Sequence, residues 1–168
     1  MCSSDLTESL QDLLTDINIG RTSLDFPFTA TKVKIHIGFF KNFDSIISHI
    51  VKIIDERKSL HVVFTGHSLG GAVSTIMTLY CKLLYIIKNI YCITFGSPRV
   101  GNKAFSKLFK KYIRNSYRYV NEEDPIPNLP SCLRFSHVFG LQYIDKNKIF
   151  YNKTTKLRCC NFFKDLLC

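Results

Sequence analysis

The strongest constraint in the sequence is the segment from Val62 to Ala72, which reads VVFTGHSLGGA. A β-branched run comes first, His67 and Ser68 follow between glycines, and a long apolar stretch comes after them. This order predicts a strand, a sharp turn and a helix. The turn leaves little room, so we expect side chains at Gly66 and Gly70 to collide with neighbouring backbone. Ser68 is then lifted clear, in a strained conformation at a helix N-terminus, where the helix dipole favours negative charge.

Apolar periodicity predicts further strands and helices on both sides of this turn. Strands are expected at 33–37, 61–65, 91–95 and 117–121, with a hairpin formed by 142–144 and 148–151. Helices are expected at 9–17, 44–56, 69–87 and 102–113, with a loop at 20–32. Asp44 is placed to cap the second helix. The alternation predicts an α/β fold, with a mainly parallel sheet, helices on both faces and the site at the carboxyl ends of the strands.

Length and composition indicate one globular domain over residues 1–168, with the motif-bearing core at about 4–144. Hydrophobic residues make up 46% and charged residues 21% of the chain, a composition that fits a globular protein and argues against disorder. The long apolar segment 69–87 is interrupted by Lys82 and diluted by hydroxyl residues. It therefore predicts a buried helix rather than a membrane span.

The formal net charge of +10 favours anionic partners such as a phospholipid surface, with a merely solvated basic face as the alternative. The basic residues crowd into the second half: Lys103, Lys107, Lys110, Lys111, Arg114, Arg118, Lys146, Lys148, Lys153, Lys156, Arg158 and Lys164. No nucleic-acid motif accompanies them, so we expect no nucleic-acid partner.

Seven cysteines without C-x-x-C spacing disfavour a zinc site and indicate reduced thiols. The first ten residues, MCSSDLTESL, lack the basic and apolar pattern of a signal peptide. We therefore expect a cytoplasmic protein, with peripheral membrane association as a further possibility.

Ser68 and Asp124 are the candidate reactive residues. Gly66 to Gly70 is a G-x-S-x-G pattern in the strand–turn–helix context that a nucleophile requires, and a passive serine in a structural turn is the alternative. The amide of Leu69 would point to a developing oxyanion. Asp124 follows a predicted strand and precedes Pro125, which fixes the backbone and makes it the best carboxylate to orient a base.

Four blocks in order resemble the class 3 lipases, the fungal triacylglycerol lipase type of α/β-hydrolase. They are His36 to Phe39 (HIGF), Val63 to Ala72, Thr94 to Asn102 (TFGSPRVGN) and Asn121 to Pro130 (NEEDPIPNLP). The resemblance implies Ser68 as nucleophile, Asp124 as the acid that orients a histidine, and the Leu69 N–H as one oxyanion donor. The family's second oxyanion donor would fall at Ser4, although its preceding Arg-Gly pair is absent here.

The identity of the catalytic histidine is the open point. The five candidates are His36, His49, His61, His67 and His137. We expect His49 and His61 on the surface and the His67 side chain pointing into the fold, and the resemblance implies that His36 lies in the pocket wall. His137 comes after Asp124, the correct chain order, but family members carry a non-catalytic histidine in this block and their catalytic one later.

Two interpretations of His137 follow. Either the chain is a shortened member that lacks the first strands, the C-terminal end and the catalytic histidine, or His137 has been recruited. With a histidine as base, the function is a serine ester hydrolase acting on acylglycerols or phospholipids. With the catalytic histidine absent, the function is a catalytically inactive domain that binds lipid or a protein partner. Neither requires a metal or an organic cofactor.

Overall fold

A five-stranded sheet organises the computed structural model, which describes residues 20–26, 32–57, 61–85, 87, 89–145 and 148–151. The strands are β1 (Arg21–Ser23), β2 (Lys34–His36), β3 (His61–His67), β4 (Asn89–Phe95), β5 (Asn115–Asn121), β6 (Leu141–Asp145) and β7 (Lys148–Tyr151). The helices are α1 (Ile37–Arg57), α2 (Ser68–Leu84) and α3 (Lys103–Tyr112), with a 3-10 turn at Ile126–Asn128.

The order of the main sheet is β3-β4-β5-β6-β7. Strands β3 to β6 pair in parallel, and β7 closes the edge as the antiparallel partner of β6. A separate two-stranded sheet pairs β1 with β2. The predicted mainly parallel α/β architecture and the terminal hairpin are therefore confirmed.

The helices in the described part of the chain cover one face of this sheet, so among the described residues the predicted helices on the second face are not found. Val62 and Phe64 of β3, with Ile90 and Cys92 of β4, pack into the hydrophobic core that contains α2. Residues that alternate with them point the other way, and three of these are well exposed: Val63 (55%), Phe95 (44%) and Tyr117 (40%).

Helix α2 is the buried helix that the apolar segment predicts. Its residues from Gly71 to Leu79 are all buried, because α2 lies between the sheet and α1. Helices α1 and α3 pack against it from outside. None of the described helices combines the length and apolarity needed to cross a membrane.

Two boundary predictions are wrong. Residues 20–26 contain strand β1 rather than only loop, since Arg21–Ser23 pairs with Lys34–His36. Helix α1 begins at Ile37, so Asp44 lies inside the helix and does not cap it. The apolar face starts early because Phe39 and Phe43, one helical turn apart, are both buried. The helix predicted at 9–17 lies outside the described residues.

Candidate active site

Ser68 stands at the junction of β3 and α2 in a backbone conformation that few residues adopt. Its φ is +50°, and among the described residues it is the one non-glycine residue with a positive value. Such strain persists only where the surrounding structure enforces it, and it is frequent at functional sites. The side chain is 8% exposed, and its Oγ has no hydrogen-bond partner among the described residues. The backbone therefore fixes the position of the Ser68 hydroxyl, which makes no hydrogen bond to the described residues.

The sharpness of the turn depends on Gly66 and Gly71. A Cβ at Gly66 would lie 2.4 Å from the carbonyl carbon and oxygen of Gly70, which confirms the predicted collision. A Cβ at Gly70 would meet nothing within 4 Å, so the collision predicted there is wrong. The second tight position is Gly71, where a Cβ would lie 2.9 Å from Cβ of Ser97.

Leu69 is the second residue of α2. The first four N–H groups of a helix have no intrahelical partner, so its amide is available to an oxyanion beside Ser68. The position of the Leu69 amide agrees with its predicted role as an oxyanion donor, which stays a prediction. The other candidate donor, Ser4, lies outside the described residues.

Asp124 lies beyond the carboxyl end of β5, two strands away from β3. Its Oδ1 accepts a hydrogen bond of 2.9 Å from the Ile126 N–H, which fixes the carboxylate through the turn that Pro125 begins. Its Oδ2 lies against Gly96, where an added Cβ would be only 2.4 Å away. Gly96 has a φ of +56°. The carboxylate is thus oriented through one oxygen and leaves the other for a further partner.

His67 contradicts the expected inward orientation. The residue is exposed, and its Nε2 would lie 3.4 Å from a Cβ at Gly96, the position that also meets Asp124 Oδ2. The imidazole of His67 and the carboxylate of Asp124 therefore converge on one glycine, next to Ser68 in the chain. Sequence reasoning missed this arrangement, although Gly96 lies within the quoted block Thr94 to Asn102.

His137 has a different environment. Its Nε2 donates a hydrogen bond of 2.7 Å to the Pro127 carbonyl, and its buried Nδ1 has no partner among the described residues. Burial holds the pKa of His137 well below 6.5, and the positive charges of Arg118 and Arg99 lower it further. The structure therefore gives this ring contacts with neither Ser68 nor Asp124, and its catalytic role stays a prediction.

Arg118 is one of the basic residues assigned to the surface by sequence, and that assignment is wrong. Its side chain is 3% exposed, on the helix-covered face of β5. Burial, together with the charge of Arg99, lowers the pKa of Arg118 to about 10. Its Nε and Nη1 have no hydrogen-bond partner in the described part of the chain. It thus adds to a buried cationic region around His137.

Two of the remaining histidines lie at the surface, as predicted. His49 is exposed on α1 and His61 is exposed at the start of β3. His36 is 1% exposed, accepts a hydrogen bond from the Gly38 N–H through Nδ1, and packs its ring on Phe39. Within the described ranges, no three His, Cys, Asp or Glu side chains are grouped to hold a metal ion.

Known lipases are similar to this chain in sequence and in fold. The secreted mono- and diacylglycerol lipase 1 of Fusarium solani is 26% identical over 166 residues, which are 95% of this chain and 48% of that protein. The chloroplastic phospholipase A(1) DAD1 of Arabidopsis thaliana is 29% identical over 137 residues, 75% of this chain and 31% of that protein. A triacylglycerol lipase whose catalytic centre is formed by a serine protease triad superposes with a TM-score of 0.67 and 26% identity, covering 80% of this chain and 54% of that structure.

The chain spans about half, or less, of the curated relatives that it matches. The family model for lipase (class 3) matches residues 5–134, most of the chain. It covers both Ser68 in its strained turn and Asp124 beside Gly96. The chain therefore belongs to the class 3 lipase family.

Proposed function

We propose that this protein is a serine ester hydrolase that cleaves acyl esters of glycerol or phospholipids. The observation that carries the proposal is Ser68, held at a φ of +50° at the N-terminus of α2 with an unengaged hydroxyl. The names of its relatives, which include a mono- and diacylglycerol lipase and a phospholipase A(1), support this substrate class.

The reaction that this site supports is acyl transfer in two steps. Ser68 Oγ attacks the ester carbonyl carbon, and its proton passes to a base and then to the departing alcohol. The Leu69 N–H donates to the oxyanion of each tetrahedral intermediate. Water, activated by the same base, then releases the fatty acid and restores the hydroxyl. Asp124 holds the base through its unpaired oxygen.

A histidine is the base in this proposal, and two residues compete for the role. His137 is favoured by chain order, because it follows Asp124. His67 is favoured by position, because its Nε2 lies beside Gly96, where Asp124 Oδ2 also lies. Replacing each by alanine separates the two.

Hydrolysis of a short-chain p-nitrophenyl ester by the full chain tests the proposal. We expect turnover by the wild type, and a loss of at least about 10³-fold in kcat for Ser68→Ala, since the nucleophile is removed. Ser45→Ala, at an exposed hydroxyl on α1, is the matched control and should retain activity. An equal rate for Ser68→Ala and wild type would refute the assignment.

The two histidine variants, measured in the same assay, identify the general base. If His137 is the base, His137→Ala falls to the level of Ser68→Ala while His67→Ala retains most of the activity. The opposite result assigns the role to His67. Full activity in both single variants and in the double variant would exclude each of them as the base.

A catalytically inactive lipid-binding domain is the second candidate. The hydrogen bond from His137 Nε2 to Pro127 favours it, because this contact turns the ring to a backbone carbonyl. It predicts that wild type and Ser68→Ala both fail to hydrolyse esters yet sediment equally with phospholipid vesicles. The net charge of +10 supports stronger sedimentation with anionic than with neutral vesicles.

We further propose that the protein acts in a reducing compartment, the cytoplasm, with peripheral attachment to anionic membranes. The buried thiols of Cys81 and Cys92 support this location. Burial raises the pKa of Cys81 to about 12, so this thiol stays protonated and packs in the core. Fractionation of cells that express the tagged chain tests the location; recovery from the medium would contradict it.

A further inference from the structure

Arg118 is a cation in the core that has no partner for its charge among the described residues. It lies in the middle of β5 and is 3% exposed. Its Nε and Nη1 are buried and make no hydrogen bond to those residues. The residues in register with it are Thr94 of β4 and Leu141 of β6, the first with a hydroxyl and the second apolar. Neither of these neighbours can neutralise the guanidinium group.

His137 lies near this guanidinium group and has an unpaired atom of its own. The chain after His137 runs against β5, since the Arg118 N–H donates a hydrogen bond of 2.7 Å to the Gly140 carbonyl. Nε2 of His137 is paired with the Pro127 carbonyl, but its buried Nδ1 has no partner in the described part of the chain. Three unpaired nitrogen atoms, two from Arg118 and one from His137, therefore lie in one part of the core.

Within the described ranges, only positive charges act on these two side chains. Burial lowers the pKa of His137, and the charges of Arg118 and Arg99 lower it further, so the imidazole is neutral at pH 7. Burial and the charge of Arg99 lower the pKa of Arg118 to about 10, so the guanidinium stays charged at this pH. The core therefore holds a positive charge at Arg118 that no carboxylate of the described residues offsets.

The buried charge of Arg118 needs an anion and not only a hydrogen-bond acceptor. A water molecule would pair with its N–H groups but would leave the charge unneutralised, and a buried charge without a counter-charge destabilises a fold more than a buried neutral group does. An anion accepts charge-assisted hydrogen bonds from the guanidinium and neutralises it as well. The hydroxyl of Thr94, which is 2% exposed, is a further donor in register with Arg118.

We propose that Arg118 binds a small monovalent anion, of the size of a halide ion, in the core on the helix-covered face of β5. Nε and Nη1 of Arg118 donate to the anion, and the Thr94 hydroxyl donates from the neighbouring strand. Arg118 lies about 10 Å before Asn121, the last residue of β5, given a rise of about 3.3 Å per residue. The anion therefore binds away from the carboxyl edge of the sheet, where Ser68 and Asp124 lie.

Urea unfolding of the full chain in increasing chloride, with gluconate keeping the ionic strength constant, tests the proposal. An anion that binds only the folded chain stabilises it by mass action. At a chloride concentration 100 times the dissociation constant, the ratio of folded to unfolded chain should rise about 100-fold. Arg118→Met should remove this dependence, because the guanidinium is lost. Arg134→Met is the matched control, since it makes the same change at an exposed arginine, and it should depend on chloride as the wild type does.

Anomalous scattering from wild-type crystals soaked in sodium bromide locates the ion, and this measurement does not require Arg118→Met to fold. We expect a bromide peak within hydrogen-bond distance of Nε and Nη1 of Arg118. The proposal is overturned if chloride leaves the unfolding of the wild type unchanged, if Arg118→Met and wild type depend on chloride equally, or if water and not bromide lies at Arg118. None of these measurements depends on ester hydrolysis.

Discussion

The lack of a side chain at Gly96 determines where the Asp124 carboxylate can lie. At a φ of +56° this residue leaves space that a side chain would fill, and Asp124 Oδ2 occupies it. His67 Nε2 approaches the same point. The absence of a Cβ at Gly96 therefore leaves space that the Asp124 carboxylate and the His67 imidazole both approach.

Replacing Gly96 by alanine should destabilise the fold by about 1–3 kcal/mol, since alanine is strained at positive φ and its Cβ would displace Asp124. Urea unfolding measures the change. Gly70→Ala is the matched control: a Cβ there meets nothing within 4 Å, and alanine in a helix is favoured over glycine by roughly 0.5–1 kcal/mol. Equal stability of Gly96→Ala and wild type would show that the close approach at Gly96 is wrong.

His137 predicts a pH dependence of stability. Burial beside Arg118 and Arg99 keeps its pKa well below 6.5 in the folded state. Below pH 6.5 the unfolded chain therefore takes up a proton that the folded chain does not, so stability falls as pH falls and is fully present above this range. One such group contributes at most about 1.4 kcal/mol per pH unit.

Urea unfolding at a series of pH values from 7 to 5 measures this slope. His137→Gln retains a donor for the Pro127 carbonyl and should reduce the slope, whereas His49→Gln, at an exposed position on α1, should leave it unchanged. The same slope in His137→Gln and wild type would contradict the burial of a neutral imidazole at this position.

Among the secondary-structure elements, α3 is linked to the small sheet through the side chain of Asn102, in addition to backbone hydrogen bonds such as that from the Asn102 N–H to the Lys34 carbonyl. Asn102 caps α3 by accepting a hydrogen bond of 3.0 Å from the Phe105 N–H through Oδ1. The same oxygen accepts from the Lys34 N–H at 3.3 Å, and Nδ2 donates to the Lys32 carbonyl at 3.1 Å. Asn102 therefore joins β2 to the start of α3.

Asn102→Ala should lower the free energy of unfolding by about 1–2 kcal/mol, because the cap and both links to the β2 segment are lost. Asn102→Asp keeps the accepting oxygen and should recover most of that loss. Urea unfolding of both variants measures the difference. If aspartate is no better than alanine, the cap is not the source of the stability.

The element boundaries were predictable where one periodicity dominated. The β-branched run at 61–65 and the apolar segment at 69–87 correspond to β3 and α2, because each is apolar on the side that packs in the core. The start of α1 was not predictable in this way. Gly38 weakens the helical pattern there, and the buried pair Phe39 and Phe43 is recognisable only once α1 is packed against α2.

Across the whole molecule, parallel pairing explains why two site residues were predictable from sequence. Ser68 and Asp124 each follow a strand of one parallel sheet, so their strands end at the same edge. The approach of His67 to Gly96 and the burial of Arg118 were not predictable, because both depend on side-chain directions that the loops and the packing impose.

The central claim is that Ser68 is a nucleophile in the folded chain. Intact-mass and peptide mass spectrometry after reaction with a fluorophosphonate tests this most directly. We predict a single phosphonyl adduct on Ser68 in the wild type and in Ser45→Ala, slower labelling in Asp124→Asn, and no adduct in Ser68→Ala. An unmodified wild-type chain, or an adduct that persists in Ser68→Ala, would contradict the account.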